Sequence, residues 1–304
     1  MRKFPAAVAI SAMLGLAACG GGASDDSTDP EGAGAEVAEE TAGGIQAEYS
    51  EEAAALVPEE IRERGHMVWT AAAKPPFYIE GASGEFTGLG PDIEAAAEQI
   101  LDLEIEFLPA DGLQSVLLGL QSGRADFFVG GLRATAERQQ DFDFVVWLST
   151  NPSYLFSADR ADEISGVEDL CGLTVSFEEG GAMEMFVDKL NEECAAGGQE
   201  PIEPLPLVGE GARLAVDSGR ADAYGANLAD NLYTQLQREG EYEVVSQDTG
   251  TPDMTGGVAP AGSGVGEAMQ AVFEELFEQG VYEELMTEWN MQEAVIDEPT
   301  FNPF

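Results

Sequence analysis

The pentapeptide Ser-Gly-Arg-Ala-Asp occurs twice, at 122–126 and 218–222, and each copy stands between a helix-like stretch and a short apolar run. Ahead of the first copy, Leu113, Val116, Leu117 and Leu120 recur at helical spacing, and Gly123 offers the left-handed residue on which such helices end. Repeating one helix-to-strand junction constrains the chain to two similar α/β halves. Strand-like segments at 67–72, 103–108 and 127–130 alternate with a helix-like segment at 92–101. The second half repeats the alternation, with strands at 173–177, 202–207 and 221–225 and helices at 182–193 and 212–218. Helices between short buried strands predict mainly parallel sheets. Ligands gather beyond the carboxyl ends of strands in open α/β sheets, so 130–138 and 224–227 are candidates to face one cleft. Two further apolar helices, 265–278 and 281–289, close the pattern.

The N-terminal end indicates a compartment. Arg2 and Lys3 precede an apolar run, 4–16, that is too short to span a bilayer stably. Leu16-Ala17-Ala18-Cys19 follows and resembles a bacterial lipobox. The resemblance implies a signal peptide over 1–18, a lipid on Cys19, and anchoring at the extracytoplasmic face of the cell membrane. Residues 19–50, rich in Gly, Ala, Ser, Asp and Glu, read as a disordered acidic tether, because such a composition buries too little to fold. About 250 residues remain, enough for one two-lobed protein with a sizeable core.

A formal net charge of −45, from 58 acids against 13 Lys and Arg, repels nucleic acid and anionic lipid headgroups. A solvated acidic shell of that density also suits a salt-rich habitat. With Cys19 assigned to lipid, Cys171 and Cys194 form an even pair in an oxidising compartment. A disulfide between them is expected, worth about 3 kcal/mol in the chain-entropy account, with two buried free thiols as the alternative.

Several short motifs occur in a shared order: Pro75-Pro76-Phe77, Gly88 with Asp92-Ile93, Thr135 with Glu137-Arg138, Phe142 with Phe144, Glu168 through Gly172, Ala221-Asp222-Ala223, and Gly280-Val281-Tyr282 ahead of Trp289. In this order the chain resembles the family 3 extracellular solute-binding proteins from about residue 55 to Trp289. The resemblance implies an α/β fold of the periplasmic binding protein-like II type, a two-lobed clamshell with two hinge crossovers. The crossings fall near 148–153 and 245–251, giving one lobe from 51–148 with 252–304 and another from 154–246. It further implies a monomer that carries a small molecule to an ABC permease, without a cofactor and without catalysis.

The same resemblance nominates ligand-binding residues. Arg138 occupies the position of the arginine that grips a ligand carboxylate, a bidentate task suited to guanidinium. Gly181 and Ala182 precede a helix, where unsatisfied backbone N–H groups suit an anion. Phe77 and Gly131 complete the wall.

Amino-acid binders place an aspartate where this chain has Asn227, and some add an acid at Ala71 and a hydroxyl at Arg133. An aromatic platform is usual at Lys74 and often near Leu113. The departures leave Lys74, Arg133 and Arg138 as three cations and point to an acidic amino acid or another organic anion. If the cations instead turn toward acids such as Glu178 and Glu179, a polar amino acid or an ectoine-like zwitterion fits. A dehydratase-like enzyme is the rival class. His66 lies before its strand, and no metal cluster or phosphate-binding loop rises above background.

Overall fold

The computed structural model describes residues 45–180, 182–208, 211–250 and 253–304. The signal segment, Cys19, most of the tether and Gly181 lie outside them. Residues 45–50 are not free. The Gln99 side chain donates to the Ile45 carbonyl at 3.0 Å and accepts from the Ala47 N–H at 3.1 Å. Gln279 clamps the Glu48 backbone in the same way, at 2.7 and 3.1 Å. The expected tether therefore does not run through these residues: amides distant in sequence satisfy a backbone whose own composition promised nothing.

The chain begins with α1 (Glu51–Leu56), α2 (Glu59–Arg64), β1 (His66–Ala72), the short pair β2 (Ile79–Glu80) and β3 (Phe86–Thr87), and α3 (Leu89–Leu101). β4 (Glu104–Ala110), α4 (Leu113–Gln121), β5 (Phe128–Arg133) and β6 (Phe142–Ser149) follow. Then come β7 (Pro152–Ser157), β8 (Thr174–Glu178), α5 (Met183–Ala196), β9 (Glu203–Leu207), α6 (Gly211–Asp217), β10 (Ala223–Asn227), α7 (Leu228–Gln237) and β11 (Tyr242–Ser246). The chain closes with β12 (Met254–Pro260), α8 (Val265–Glu278), α9 (Val281–Glu288) and β13 (Thr300–Phe301).

Two α/β lobes result. One is built on the parallel pair β1–β4, joined through the Trp69–Phe127 bridge to the sheet ordered β13-β6-β12-β5; the other carries the sheet ordered β11-β7-β10-β8-β9. The larger core lies on the first lobe, around Trp69, Phe127, Phe144, Trp147 and Phe273; the second centres on Tyr154, Phe156 and Phe177. The chain passes from one sheet to the other between β6 and β7 and returns between β11 and β12.

The sheets are mixed, not mainly parallel as the alternation predicts. β7 pairs antiparallel with β10 and β11, and β12 pairs antiparallel with β5 and β6. These strands flank the passages between sheets, where no helix intervenes, so the crossover that parallel neighbours need is missing. Seven of the eight residues of β6 are buried, which removes the in-out alternation by which a strand is recognised.

Both pentapeptides do the same structural work. Gly123 and Gly219 end their helices at φ of 69° and 66°. Asp126 donates its N–H to the Val68 carbonyl at 2.8 Å, while its carboxylate accepts from the Val68 N–H at 2.7 Å and pairs with Arg64. Asp222 repeats this on Thr174, at 2.8 Å for both bonds, and pairs with Arg160. Each aspartate thus starts a parallel strand pairing and neutralises its own charge. A disulfide joins Cys171, ahead of β8, to the buried Cys194 of α5.

Candidate functional site

The strand ends after the two pentapeptides open on one cavity of about 290 Å³. β5 contributes Gly131 and Arg133; the end of β10 contributes Tyr224 through Asn227. The first passage between sheets adds Thr150 and Asn151, with Pro152 at the start of β7, and the return passage adds Asp253, with Thr255 at the start of β12. From the second lobe come Glu178 at the end of β8, Ala182, Met183 and Phe186 at the start of α5, and Asp230 in the first turn of α7. The Thr150 and Thr255 hydroxyls, both buried, lie 3.1 Å apart and tie the two passages together beside the cavity.

A second cavity of about 260 Å³ lies against the first lobe, lined by Lys74, Phe77, Leu113, Val116 and Phe128 among others. Gly131 borders both cavities. A Cβ there would stand 2.8 Å from the Phe77 ring, so glycine is what keeps the junction open.

The expected trio of cations is divided. Arg133 faces the larger cavity and pairs with Asp253, Nη2 to Oδ1 at 2.7 Å. Lys74 lines the smaller one. Arg138, in the turn after β5, lines neither: its Nη1 donates to the Arg133 carbonyl at 2.8 Å, and its N–H donates to the Thr135 hydroxyl at 3.2 Å. The partners explain the division: Arg133 meets a carboxylate distant in sequence, while Arg138 is held by a backbone carbonyl five residues away. Asn227 lines the larger cavity, but its Oδ1 accepts from the Ala229 N–H at 2.8 Å and so caps α7. Ala182 lies where expected, at the start of α5, and Gly181 is outside the described residues.

Three acids, Glu178, Asp230 and Asp253, line the larger cavity, and two of them were not legible as site residues. Burial pushes the Asp230 carboxyl above its ordinary range; the Lys74 ammonium pulls it back down, and Glu178 raises it further. Burial likewise raises Asp253, against the pull of Arg133. The one signal for Asp230 was its place three residues after Asn227, in the first turn of a helix. Asp253 carried no local signal.

Two lobes joined by paired passages, with a polar cavity at their strand ends, define a binding protein for a small solute. The chain belongs to the bacterial extracellular solute-binding proteins, family 3, whose family model matches residues 67–292. The arginine-binding protein ArgT of Corynebacterium glutamicum is 32% identical over 254 residues, covering 82% of this chain and 82% of that protein. Among solved structures, an ancestral cationic amino acid solute-binding protein, AncCDT-1, superposes with a TM-score of 0.63 at 24% identity, covering 76% of this chain and 98% of that one. The second substrate-binding domain of Lactococcus lactis GlnP, in its open conformation, gives 0.63 at 19%, covering 74% and 94%. These two structures share the periplasmic binding protein-like two-lobed fold with this chain. Among the described residues, no helix is long and apolar enough to cross a membrane.

Proposed function

We propose that the protein is the lipid-anchored, extracytoplasmic binding component of an ABC importer, that it works as a monomer, and that it captures an amino acid in the 290 Å³ cavity. The observation that carries this reading is the cavity's double character. Arg133 and the start of α5 offer donors for a carboxylate, and Glu178 and Asp230 offer acceptors for an ammonium, the two needs of a zwitterion. The arginine-binding relative supports an amino acid as the ligand class. Cys19 would carry the lipid, and the lobes 51–148 with 252–304 and 154–246 would close on the ligand about the Thr150–Thr255 contact. Arg138, now held on the Arg133 carbonyl, would join the ligand carboxylate on closure.

An acidic amino acid or other organic anion is the second reading. It is favoured by Lys74 and Arg133 flanking Gly131, and it requires Arg133 to exchange Asp253 for the ligand. A thermal-shift series on the full chain separates the readings. A ligand at hundredfold excess over its Kd adds about 2.7 kcal/mol of stability. Amino acids are expected to stabilise the fold without being converted. A shift confined to dicarboxylates lacking an amino group would overturn the first reading, and product formation would replace binding by dehydratase-like chemistry. Arg138→Ala is expected to weaken binding by about 2–5 kcal/mol; unchanged affinity would remove Arg138 from the site.

A further inference from the structure

Resting on the importer reading, we propose that the exposed faces of α4 and α6 form a two-point docking surface for the permease, each point a leucine beside an unpaired arginine, and that the permease meets each point with an apolar recess next to a carboxylate. The duplicated junction places the two points alike. Leu118 on α4 and Leu214 on α6 each stand four residues before the serine of their pentapeptide, and they are 58% and 47% exposed. The Ser122 N–H donates to the Leu118 carbonyl at 3.0 Å and the Arg124 N–H to the Gly119 carbonyl at 3.0 Å. Ser218 and Arg220 repeat these bonds on Leu214 and Ala215, at 3.1 and 2.8 Å. Leucine and arginine are thereby held in the same backbone relation in both lobes.

The core does not account for these residues. α4 buries Val116 and Leu120, and α6 buries Ala215 and Val216, each on the face away from its exposed leucine. A lone exposed leucine is ordinary; its recurrence beside the same arginine in both copies is what marks a surface. Arg64, Arg133, Arg160, Arg213 and Arg238 each meet a carboxylate. Arg124 and Arg220 are exposed, and among the described residues neither forms an ion pair, in a chain of 58 acids. Arg124 only donates its Nε–H to the Ser122 hydroxyl, at 3.3 Å. Two guanidinium groups left free on so acidic a molecule suit carboxylates supplied from outside it.

The placement of the helices says what kind of partner fits. α4 packs on β1 and β4 and α6 on β8 and β9, at the sheet edges away from the strands that carry the passages between lobes. Closure about those passages changes the spacing of the two points, so a partner that holds both at once reads whether the lobes have closed. A repeated patch matches a repeated site, which selects a protein with two like halves. Anionic lipid, another partner for arginine, is repelled by the rest of the surface.

Uptake of a radiolabelled mixture of the protein amino acids tests this, in cells of the source organism that lack the chain and carry it back as wild type or variant. The double variant Arg124→Glu with Arg220→Glu is expected to lower initial uptake at least ~10-fold, more than either single change, and to keep the wild-type thermal shift with the same mixture. Uptake equal to wild type would overturn the inference. So would a thermal shift lost in step with uptake, because the arginines would then serve the fold or the solute. If the wild type restores no uptake, the importer reading falls and the inference with it. A photo-crosslinking residue, p-benzoylphenylalanine, placed at Leu118 or at Leu214 is expected to join the chain to one membrane protein or to two like subunits of it, and at the exposed Glu283 of α9 to join neither. Adducts with lipid alone, with a second copy of this chain, or with nothing would overturn the inference. Should the double variant fail to fold, the crosslinks decide.

Discussion

The two Ser-Gly-Arg-Ala-Asp junctions match almost bond for bond up to their aspartates and then diverge. Asp126 closes β1 against the run into β5, with Arg64 from just before β1, and Asp222 closes β8 against β10, with Arg160 from just after β7. Beyond that point, β5 exits through Gly130 and Gly131 to Arg133 and on to the turn of Arg138. β10 runs instead straight into the cap of α7. The first exit brings a cation and an open backbone to the cavity; the second brings a carboxylate on a rigid helix. Scaffold is duplicated and chemistry is not. The aspartate bonds serve any ligand equally well, while the residues after them meet the solute directly.

The halves also differ in bracing, which gives the largest expected effect. Only the second lobe carries a disulfide among the described residues, Cys171 to Cys194. Its reduction is expected to remove about 3 kcal/mol of stability, measured by urea denaturation with and without reductant. An unchanged midpoint would mean that the second lobe does not depend on its bridge.

A smaller effect tests the duplicated junction itself. The Asp126 side chain is 14% exposed and that of Asp222 is 37% exposed. Asp126→Ala should therefore cost about 2–3 kcal/mol, since it leaves the Val68 N–H and Arg64 without their carboxylate, and Asp222→Ala about 1–2, since it strips the Thr174 N–H while Arg160 keeps Glu163. Equal losses would break the argument that burial grades the two copies, and no loss in either would break the equivalence.

The smallest effect is pH-dependent and confined to the first lobe. On α3, burial, with Glu98 nearby, pushes the Glu94 carboxyl up to about 7. In the unfolded chain it titrates near 4.5. The folded state thus holds a proton that the unfolded state has released, so stability present below pH 4.5 is lost as pH rises toward 7. Glu94→Gln escapes that loss. It should melt higher than the wild type by about 2–4 °C at pH 8, with a narrower gap at pH 4.5. A gap independent of pH would show that Glu94 does not titrate in this range.

The α/β class, the two halves and the order of most elements were legible in the sequence, because each rests on local periodicity and on glycines that end helices. α8 runs from Val265 to Glu278, the span that its apolar spacing predicts. The mixed pairing of the sheets was not legible. β6 and β7 meet without a helix, and a strand buried on nearly every residue shows no alternation. Likewise, Arg133 could be nominated as a cation, but its partner Asp253 lies 120 residues along the chain and meets it only because β5 and β12 are neighbours.

By itself, the sequence determined the duplicated junction and the helices that end on Gly123 and Gly219; it made the pairing of Cys171 with Cys194 an expectation, which the structure shows. The junctions and helix ends depend on residues close in the chain. Tertiary structure alone decided the electrostatics of the cavity: which cations keep their charge for a ligand, which are already neutralised, and that Asp230 stands where Asn227 offers no charge. Electrostatic energy depends on separation in space and on burial, and neither is a property of position along the chain.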